Sequence, residues 1–366
     1  MAVEFVGMIG TRPGSEAGGP NMSIIGGSVD KEFVKAFARA HEDGGFDRVL
    51  VGYGSSGPDG FSVTSYAAAH TDRLGYLLAH RPGFVAPTLA ARKLATLDQF
   101  SDGRIAVHII TGGADDEMQR DGDWTEKDDR YRRTDEYLDI LRLSWTSEKP
   151  FDYDGKFYKV RNAYSDVKPV PGSLPIYFGG SSDMALEVGA KQADTWATWG
   201  EPVASIRSEI ARVGALAAQY GRKPKISVSF RPILAATEEK AWARAYDILE
   251  KIQGARKDLP ARIPNNVASQ RLLKFAEEGD VLDKRLFTAI ARATGAQGNS
   301  TALVGTPEQV AESILDYVDA GVNTILIRGF DPLQDAIDYG RDLLPIVHAE
   351  IAQRERESAR ELVHAS

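Results

Sequence analysis

Three arginines are the side chains of this sequence best placed to bind an anion. Arg12, Arg231 and Arg328 each lie at or just past the end of a short apolar run, the first, seventh and eighth along the chain. Guanidinium groups donate paired hydrogen bonds to the oxygens of an acid group. We therefore expect the three arginines to bind one anionic ligand together, and salt bridges to acidic residues such as Glu201 or Asp331 are the alternative.

Two histidines are candidates for proton transfer or for hydrogen bonding to a cofactor. His80 and His108 lie at or near the ends of the third and fourth apolar runs, and an imidazole with a pKa near 6.5 can serve in either role. The sequence has no cysteine, no HxH or HExxH spacing, no GxSxG motif and no Walker loop. Since neither a metal site nor an activated nucleophile is indicated, we expect an organic cofactor to supply the chemistry.

A corner rich in glycine and serine is a candidate phosphate site. Gly179, Gly180, Ser181 and Ser182 follow the fifth apolar run and open a helical stretch. Glycines let the backbone approach a ligand closely, and hydroxyls together with free N–H groups at a helix N-terminus suit a phosphate. A plain strand-to-helix turn with a serine cap is the alternative.

The elements that must position these residues are eight apolar runs separated by helical stretches. The runs are 3–10, 47–54, 74–83, 105–113, 174–180, 194–200, 226–235 and 324–332. Buried strands that alternate with helices predict an α/β fold, a (β/α)8 TIM barrel, in which the residues after each strand share one mouth. Tyr53, Trp199 and Phe330 also lie at run ends, where they would line an apolar pocket or pack at the top of the barrel.

The connections predict helices, a hairpin and a long insertion. Helical spacing of apolar residues predicts helices at 31–45, 86–100, 129–147, 182–192, 203–220, 238–253, 307–320 and 333–353. Residues 150–162 predict a β-hairpin that turns at Asp154 and Gly155. The stretch 250–300 exceeds what a barrel connection needs and predicts a lid or an interface element. No linker divides the chain, so we expect one domain over 1–350 and a polar C-terminal tail over 351–366.

Composition excludes several classes of partner. The chain has 366 residues, 43% of them hydrophobic and 26% charged, with a formal net charge of −8. A nucleic acid or an anionic membrane surface would favour a basic face instead. No apolar run approaches the roughly 18 residues of a membrane span, and the N-terminus lacks the basic start of a signal peptide. We expect a cytoplasmic protein with a small-molecule substrate.

Five segments together resemble the bacterial luciferase-like flavin-dependent monooxygenases, and in particular the two-component FMNH2-dependent alkanesulfonate monooxygenases. The similarity extends from residue 1 to about 350. The segments are APTLAARKLATLDQFSDGRIAVHIITGG (86–113), DDRYRRTDEYLDILRLSW (128–145), LPIYFGGSSD (174–183), ATWGEP (197–202) and TALVGTPEQVAESI (301–314). Their order along the chain makes the set specific.

The resemblance implies a barrel that binds reduced FMN, delivered by a separate NAD(P)H-dependent FMN reductase, and that uses O2 to oxygenate its substrate. In the sulfonate enzymes the carbon–sulfur bond breaks, releasing sulfite and an aldehyde. Relatives are commonly homodimers or homotetramers. Carried over to this sequence, Tyr131, Ser181 and Ser182 would hold the FMN phosphate beside Gly180.

The same resemblance assigns residues around the flavin ring and the substrate. His108 and Thr111 would lie near the ring, and Ala79–His80 matches a position where the family often has a cis peptide. Catalytic roles would fall to His80, His108, Arg231 and Trp199. Substrate binding would fall to Arg12, Arg231, Arg328, Trp199 and Phe330.

The substrate side departs from the alkanesulfonate enzymes. Arg12 stands where they carry His, Gly57 where they carry Cys, and Phe330 where they carry Tyr, while Ser229 and Arg231 replace Arg and His. We therefore expect an anionic organosulfur substrate with a different carbon skeleton. Two alternatives stay open: a deazaflavin- or FMN-dependent oxidoreductase of the same fold with a non-sulfonate substrate, and a flavin-binding protein without activity.

Overall fold

Eight parallel strands close into a barrel, which confirms the predicted fold. The structure is a computed structural model that describes residues 3–18, 23–112, 114–260, 264 and 266–365. Its strands are β1 (Glu4–Ile9), β2 (Arg48–Val51), β3 (Gly75–His80), β4 (Ile105–Ile109), β5 (Phe151–Asp154), β6 (Lys159–Ala163), β7 (Ile176–Gly179), β8 (Thr195–Trp199), β9 (Lys225–Leu234), β10 (Val281–Leu282), β11 (Leu286–Phe287), β12 (Ala302–Gly305) and β13 (Thr324–Ile327). The barrel order is β1, β2, β3, β4, β7, β8, β9 and β13, and pairing of β13 with β1 closes the ring.

Helices surround the barrel and also cover its mouth. They are α1 (Lys31–Asp43), α2 (Gly60–Ala68), α3 (Pro87–Phe100), α4 (Asp115–Arg120), α5 (Lys127–Thr146), α6 (Asp183–Gln192), α7 (Val203–Ala218), α8 (Glu238–Arg256), α9 (Val267–Glu278), α10 (Ala289–Thr294), α11 (Pro307–Asp319), α12 (Pro332–Asp338) and α13 (Leu344–Ala365). A π-helical turn at Tyr339–Leu343 joins the last two. Sequence signals set many of the starts: Asp30 caps α1, and Thr306 with Gln309 forms a capping box on α11.

The strands are buried on both faces, and this explains their continuous apolar sequence. The outer faces pack against the helices in one large core. The inner faces form a smaller layer inside the barrel, made by Val6, Leu77, Ala106, Tyr177 and Leu326. Side chains that fill the barrel interior make it a packed floor and leave the mouth as the place for a ligand.

Strand β9 is ten residues long, and the barrel uses the first part of it, up to Phe230. Its first part pairs with β8 and β13, up to Phe230 opposite Ile327. From Arg231 onward its partner is β12, with Arg231 opposite Ala302 and Leu234 opposite Gly305. Strand β12 was not predicted, and it adds a short ladder with β10 and β11 above the barrel. The predicted insertion at 250–300 therefore joins the sheet at its far end.

The remaining differences from prediction lie in the connections. The hairpin forms at β5 and β6 and turns over 155–158, whereas α2 and α4 were not predicted. Helix α13 continues through Ala365 across most of the predicted tail. Position 366 of that tail, position 113 of the fourth run, and positions 261–263 and 265 of the insertion lie outside the described residues. None of the helices in the described chain is long and apolar enough to cross a membrane.

A buried histidine on α1 predicts loss of stability in acid. His41 lies between Phe37 and Phe46, and burial lowers its pKa to about 4 although a bond to the Phe37 carbonyl opposes the shift. Between pH 6.5 and pH 4 the unfolded chain binds a proton that the folded chain does not, so stability falls as the pH falls through this window. In urea titrations, His41→Gln should flatten that decline. Equal slopes for both proteins across this window would contradict the assignment, and above pH 7 the slopes should coincide.

Candidate active site

A cavity of about 520 Å³ opens at the carboxyl ends of the barrel strands. Its floor is apolar and includes Leu50, Leu77 and Leu326, which are side chains of the barrel interior. Its walls include residues that follow the strands, among them Thr111, Gly180 and Ser181. The volume lies in the range of small-molecule and cofactor sites, and the mouth is where barrel enzymes hold their substrates.

The predicted phosphate corner forms one wall of this cavity. Ser182 caps α6 by accepting a hydrogen bond from the Ala185 N–H. Burial raises the pKa of the Tyr131 hydroxyl on α5, and the nearby Ser182 side chain opposes that shift. Gly180 has a φ of 157°, and a Cβ there would lie 2.5 Å from the Ala185 Cβ and 3.3 Å from the Tyr131 hydroxyl. Only glycine fits this position. Gly180, Ser181, Ser182 and Tyr131 are thus brought together as predicted.

Lys127 belongs to the same corner and was missed by sequence reasoning. It is the first residue of α5 and lines the cavity, and no ion pair or hydrogen bond with another described residue engages its side chain. A cation at a helix N-terminus opposes the helix dipole, which favours a role outside helix stability. Its position four residues before Tyr131 places both on one helix face, and that spacing was the available signal.

Two unpartnered polar atoms face the cavity beside this corner. The Nδ1 atom of His108 and the Oγ1 atom of Thr111 are buried and form no hydrogen bond within the described part of the chain. Burial lowers the pKa of His108 to about 4, so its ring is neutral near pH 7. Buried polar atoms are normally hydrogen-bonded. A ligand with polar ring atoms would satisfy both groups.

His80 does not line the cavity with His108 and Thr111. Its Nε2 atom lies 2.6 Å from the Tyr137 hydroxyl behind the cavity wall, and it is absent from the lining. Burial, assisted by Lys93, lowers its pKa to about 4. All described peptide bonds are trans, so the cis bond expected at Ala79–His80 is not observed. A direct catalytic role for His80 has no support from its position.

The expected convergence of three arginines is also corrected. Arg231 is fully buried, donates its Nη2 atom to Glu16 at 2.7 Å and its Nε atom to the Asn299 carbonyl at 2.7 Å, and does not line the cavity. Arg12 is exposed and lies outside the lining. Side chains alternate along a strand, so Arg231 faces the same side of β9 as Ser229, which lines the cavity. Arg231 lies beyond the part of β9 that pairs with β13, however, and Glu16 and Asn299 hold its guanidinium.

Arg328 is the member of the trio that reaches the cavity. Its side chain is 10% exposed and lies 3.6 Å from Glu16, and its Nε atom is buried without a partner in the described chain. Burial, followed by the charge of Arg231, lowers the pKa of Arg328 to about 10 while Glu16 opposes the shift. The side chain remains a cation at neutral pH.

The aromatic candidates also differ in whether they line the cavity. Trp199 lines the cavity and packs against the insertion. Phe330 is buried, and the Arg231 guanidinium lies 4.6 Å from the centre of its ring. Tyr53 lies outside the lining, where its hydroxyl donates to Asp121 at 2.7 Å. Phe330 is therefore a packing partner of Arg231 and does not belong to the cavity lining.

Charge around the cavity has one sign. Among the described lining residues, Lys127 and Arg328 carry positive charge and no aspartate or glutamate is present. Lys127 follows the fourth barrel strand and Arg328 the eighth. In a ring of eight these strands are diametrically opposed. The cavity therefore offers two separated positions for negative groups.

The insertion forms one side of the mouth. Residues 266–268 and 297–299 line the cavity, and α9 is held by an ion pair between Arg271 and buried Glu201 at 2.6 Å. Burial raises the pKa of Glu201, against the effect of Arg271. No group of acidic or histidine side chains suited to a metal is found in the described residues.

Known proteins share this sequence pattern and fold. Residues 3–324 match the family described as luciferase-like monooxygenase. A riboflavin lyase with modified FMN and riboflavin superposes with a TM-score of 0.78 at 18% identity, covering 96% of this chain and 92% of its own. The EDTA monooxygenase of Chelativorans sp. BNC1 gives 0.76 at 17% identity, with 96% and 94% covered. An F420-dependent secondary alcohol dehydrogenase gives 0.68 at 16% identity, with 95% and 99% covered.

Proposed function

This chain belongs to the luciferase-like monooxygenase family, and from that premise we propose that it is an FMNH2- and O2-dependent monooxygenase whose substrate is an anionic organosulfur compound. The observation that carries the proposal is the pair of opposed cations, Lys127 and Arg328, around a cavity without carboxylates in the described lining. One cation suits the phosphate of FMN, and the other suits an acid group of the substrate.

The residues of the phosphate corner fit FMN. Lys127, Tyr131 and Ser182 would hold its phosphate at the N-termini of α5 and α6, where helix dipoles favour an anion. His108 Nδ1 and Thr111 Oγ1 would hydrogen bond the polar edge of the ring, since both lack partners in the described chain. Bound there, reduced FMN supplies the electrons that activate O2. The protein's own part is to orient the substrate and to exclude water from the cavity.

A sulfonate is the proposed acid group. Its negative charge and its oxygens match the unpaired Nε of Arg328, and the sequence motifs that resemble sulfonate monooxygenases include the glycine–serine corner and Trp199. Oxygenation at the carbon next to sulfur would release sulfite and leave an aldehyde. The name of EDTA monooxygenase indicates that a similar fold can accept an anionic substrate. A separate NAD(P)H-dependent FMN reductase would supply reduced flavin, and we expect a homodimer or homotetramer.

Replacing Lys127 should weaken FMN binding through the phosphate alone. We expect Lys127→Met to raise the Kd of FMN about tenfold, because a charge-assisted contact is lost, and Lys127→Arg to restore most of the affinity. Titration with riboflavin, which has no phosphate, should give the same Kd for wild type and variant. If the affinities for FMN and riboflavin fell equally, Lys127 would act through the shape of the corner and not through the phosphate.

The activity itself is tested with the purified protein, FMN, NADH and a generic flavin reductase. Oxygen consumption above the reductase background, together with sulfite release from at least one member of a panel of aliphatic, aromatic and sugar sulfonates, is the expected result. Oxygen uptake without sulfite from any sulfonate would remove the substrate proposal and keep the oxygenase.

A second candidate rests on the alcohol dehydrogenase of similar fold. Its name specifies the cofactor F420 and a secondary alcohol as the substrate, and the same corner could accept the phosphate of such a cofactor. Anaerobic reduction of F420 or FMN by alcohols, in the absence of oxygen uptake, would favour this oxidoreductase over the monooxygenase.

A further inference from the structure

Three charged side chains, two of them buried, meet in the wall that carries Arg328. The Glu16 carboxylate lies 2.7 Å from Arg231 and 3.6 Å from Arg328, through the same oxygen. Two cations and one anion leave a net charge of +1. Glu16 and Arg231 are the ionised groups that act on Arg328, so no further carboxylate in the described chain cancels this charge. A net charge that is largely shielded from water favours a counter-ion.

The two arginines are not equivalent. Arg231 is saturated: besides Glu16 it donates to the carbonyls of Asn299 and Gly329. The Nε of Arg328 is buried and unpartnered in the described chain, and its Nη1 contacts only the sulfur of Met8 at 3.2 Å and, at longer range, Glu16. Arg231 therefore neutralises the Glu16 carboxylate, and the excess positive charge belongs to Arg328 at the cavity.

Glu16 is itself firmly held. Its backbone N–H donates to the Phe330 carbonyl at 2.7 Å, and the neighbouring Ser15 hydroxyl donates to the same carbonyl at 3.2 Å. These bonds tie the segment after β1 to the segment after β13. The backbone of Glu16 thus has a fixed position, and the bond from Arg231 to its Oε2 atom at 2.7 Å orients the carboxylate beside Arg328.

We infer that Glu16 is a positioning residue that limits the substrate site at Arg328 to one net positive charge, so that the site selects a monoanionic acid group over a dianionic one. This inference rests on the proposed function and narrows its substrate class. A sulfonate satisfies the limit because it carries one charge. A phosphonate of the same shape would leave an uncompensated negative charge in the cavity wall.

The test compares two ligands of equal shape and unequal charge. Propanesulfonate and propylphosphonate are titrated calorimetrically into the FMN-saturated protein, at a pH where the phosphonate is a dianion and with the phosphate corner occupied. Wild type should bind the sulfonate about tenfold more tightly, because the second negative charge of the phosphonate would lose water in the cavity without a cation to pair with it. Glu16→Gln should abolish or reverse the preference. Ser15→Ala, which loosens the same segment and keeps every charge, should retain it.

Three results would overturn the inference. The first is tighter binding of the dianion by the wild type. The second is a ratio of the two Kd values that is unchanged in Glu16→Gln. The third is a shift of that ratio in Ser15→Ala as large as the shift in Glu16→Gln. The wild-type measurement decides even if Glu16→Gln does not fold. Because binding is read without turnover, a protein that selects the monoanion and consumes no oxygen would refute the proposed oxygenase and leave the charge limit standing.

Discussion

Replacement of Arg231 by alanine should destabilise the protein by about 3–5 kcal/mol, because it leaves the Glu16 carboxylate buried without its cation. The guanidinium also ties together segments that follow three strands, through Glu16, Gly329 and Asn299. The expected result is a large drop in the urea midpoint of unfolding. Any effect of Arg231→Ala on substrate binding would be secondary to this loss of stability.

An exposed pair provides the control. Arg212 and Asp183 form a salt bridge whose side chains are 46% and 98% exposed, so Arg212→Ala should cost about 0–1 kcal/mol. The double variant Glu16→Leu, Arg231→Met should lose less stability than Arg231→Ala, since it removes both charges. If Arg231→Ala unfolds like wild type and loses only turnover, Arg231 must contact the substrate after all.

Arg328→Gln should reduce kcat/KM for the best substrate by one to two orders of magnitude. The reason is the loss of a charged hydrogen bond of about 1.5–3 kcal/mol to the substrate's acid group. The Kd of FMN should change less than about twofold, since Arg328 lies across the barrel from Lys127. Steady-state kinetics and a flavin titration on the same preparation measure both quantities.

The matched control is Arg12→Gln, which removes an equal charge outside the cavity lining and should leave kcat/KM near the wild-type value. Comparable losses in the two variants would point to a general field of positive charge rather than a contact at Arg328. A collapse of flavin binding in Arg328→Gln would place the arginine at the cofactor instead of the substrate.

The barrel was predictable because its strands are continuous apolar runs with polar ends. The phosphate corner was predictable for a related reason: Gly180, Ser181 and Ser182 are adjacent in sequence, and Tyr131 came with the family resemblance. Local patterns of this kind survive folding because neighbours in the chain stay neighbours in space.

The arginine cluster was not predictable from the same patterns. Arg231 has the strand position of a cavity residue, two after Ser229, yet β9 exchanges its neighbour β13 for β12 one residue before it. In the sequence, β12 is only a run of four residues, Ala302–Gly305, shortly before the start of α11. Glu16 lies 215 positions from Arg231, and nothing local to either residue indicates the pairing.

The segment between β9 and β12 begins and ends at neighbouring positions in the structure. It begins after Leu234, the last residue of β9, and ends with β12, and Leu234 pairs with Gly305 in one ladder. In between it folds around a hydrophobic cluster separate from the main core, including Ala245, Ile248 and Phe287. A stretch whose two ends already touch can be exchanged or lengthened at small entropic cost. Evolution, or recombination in the laboratory, could thus replace one wall of the cavity as a unit while the phosphate corner stays unchanged.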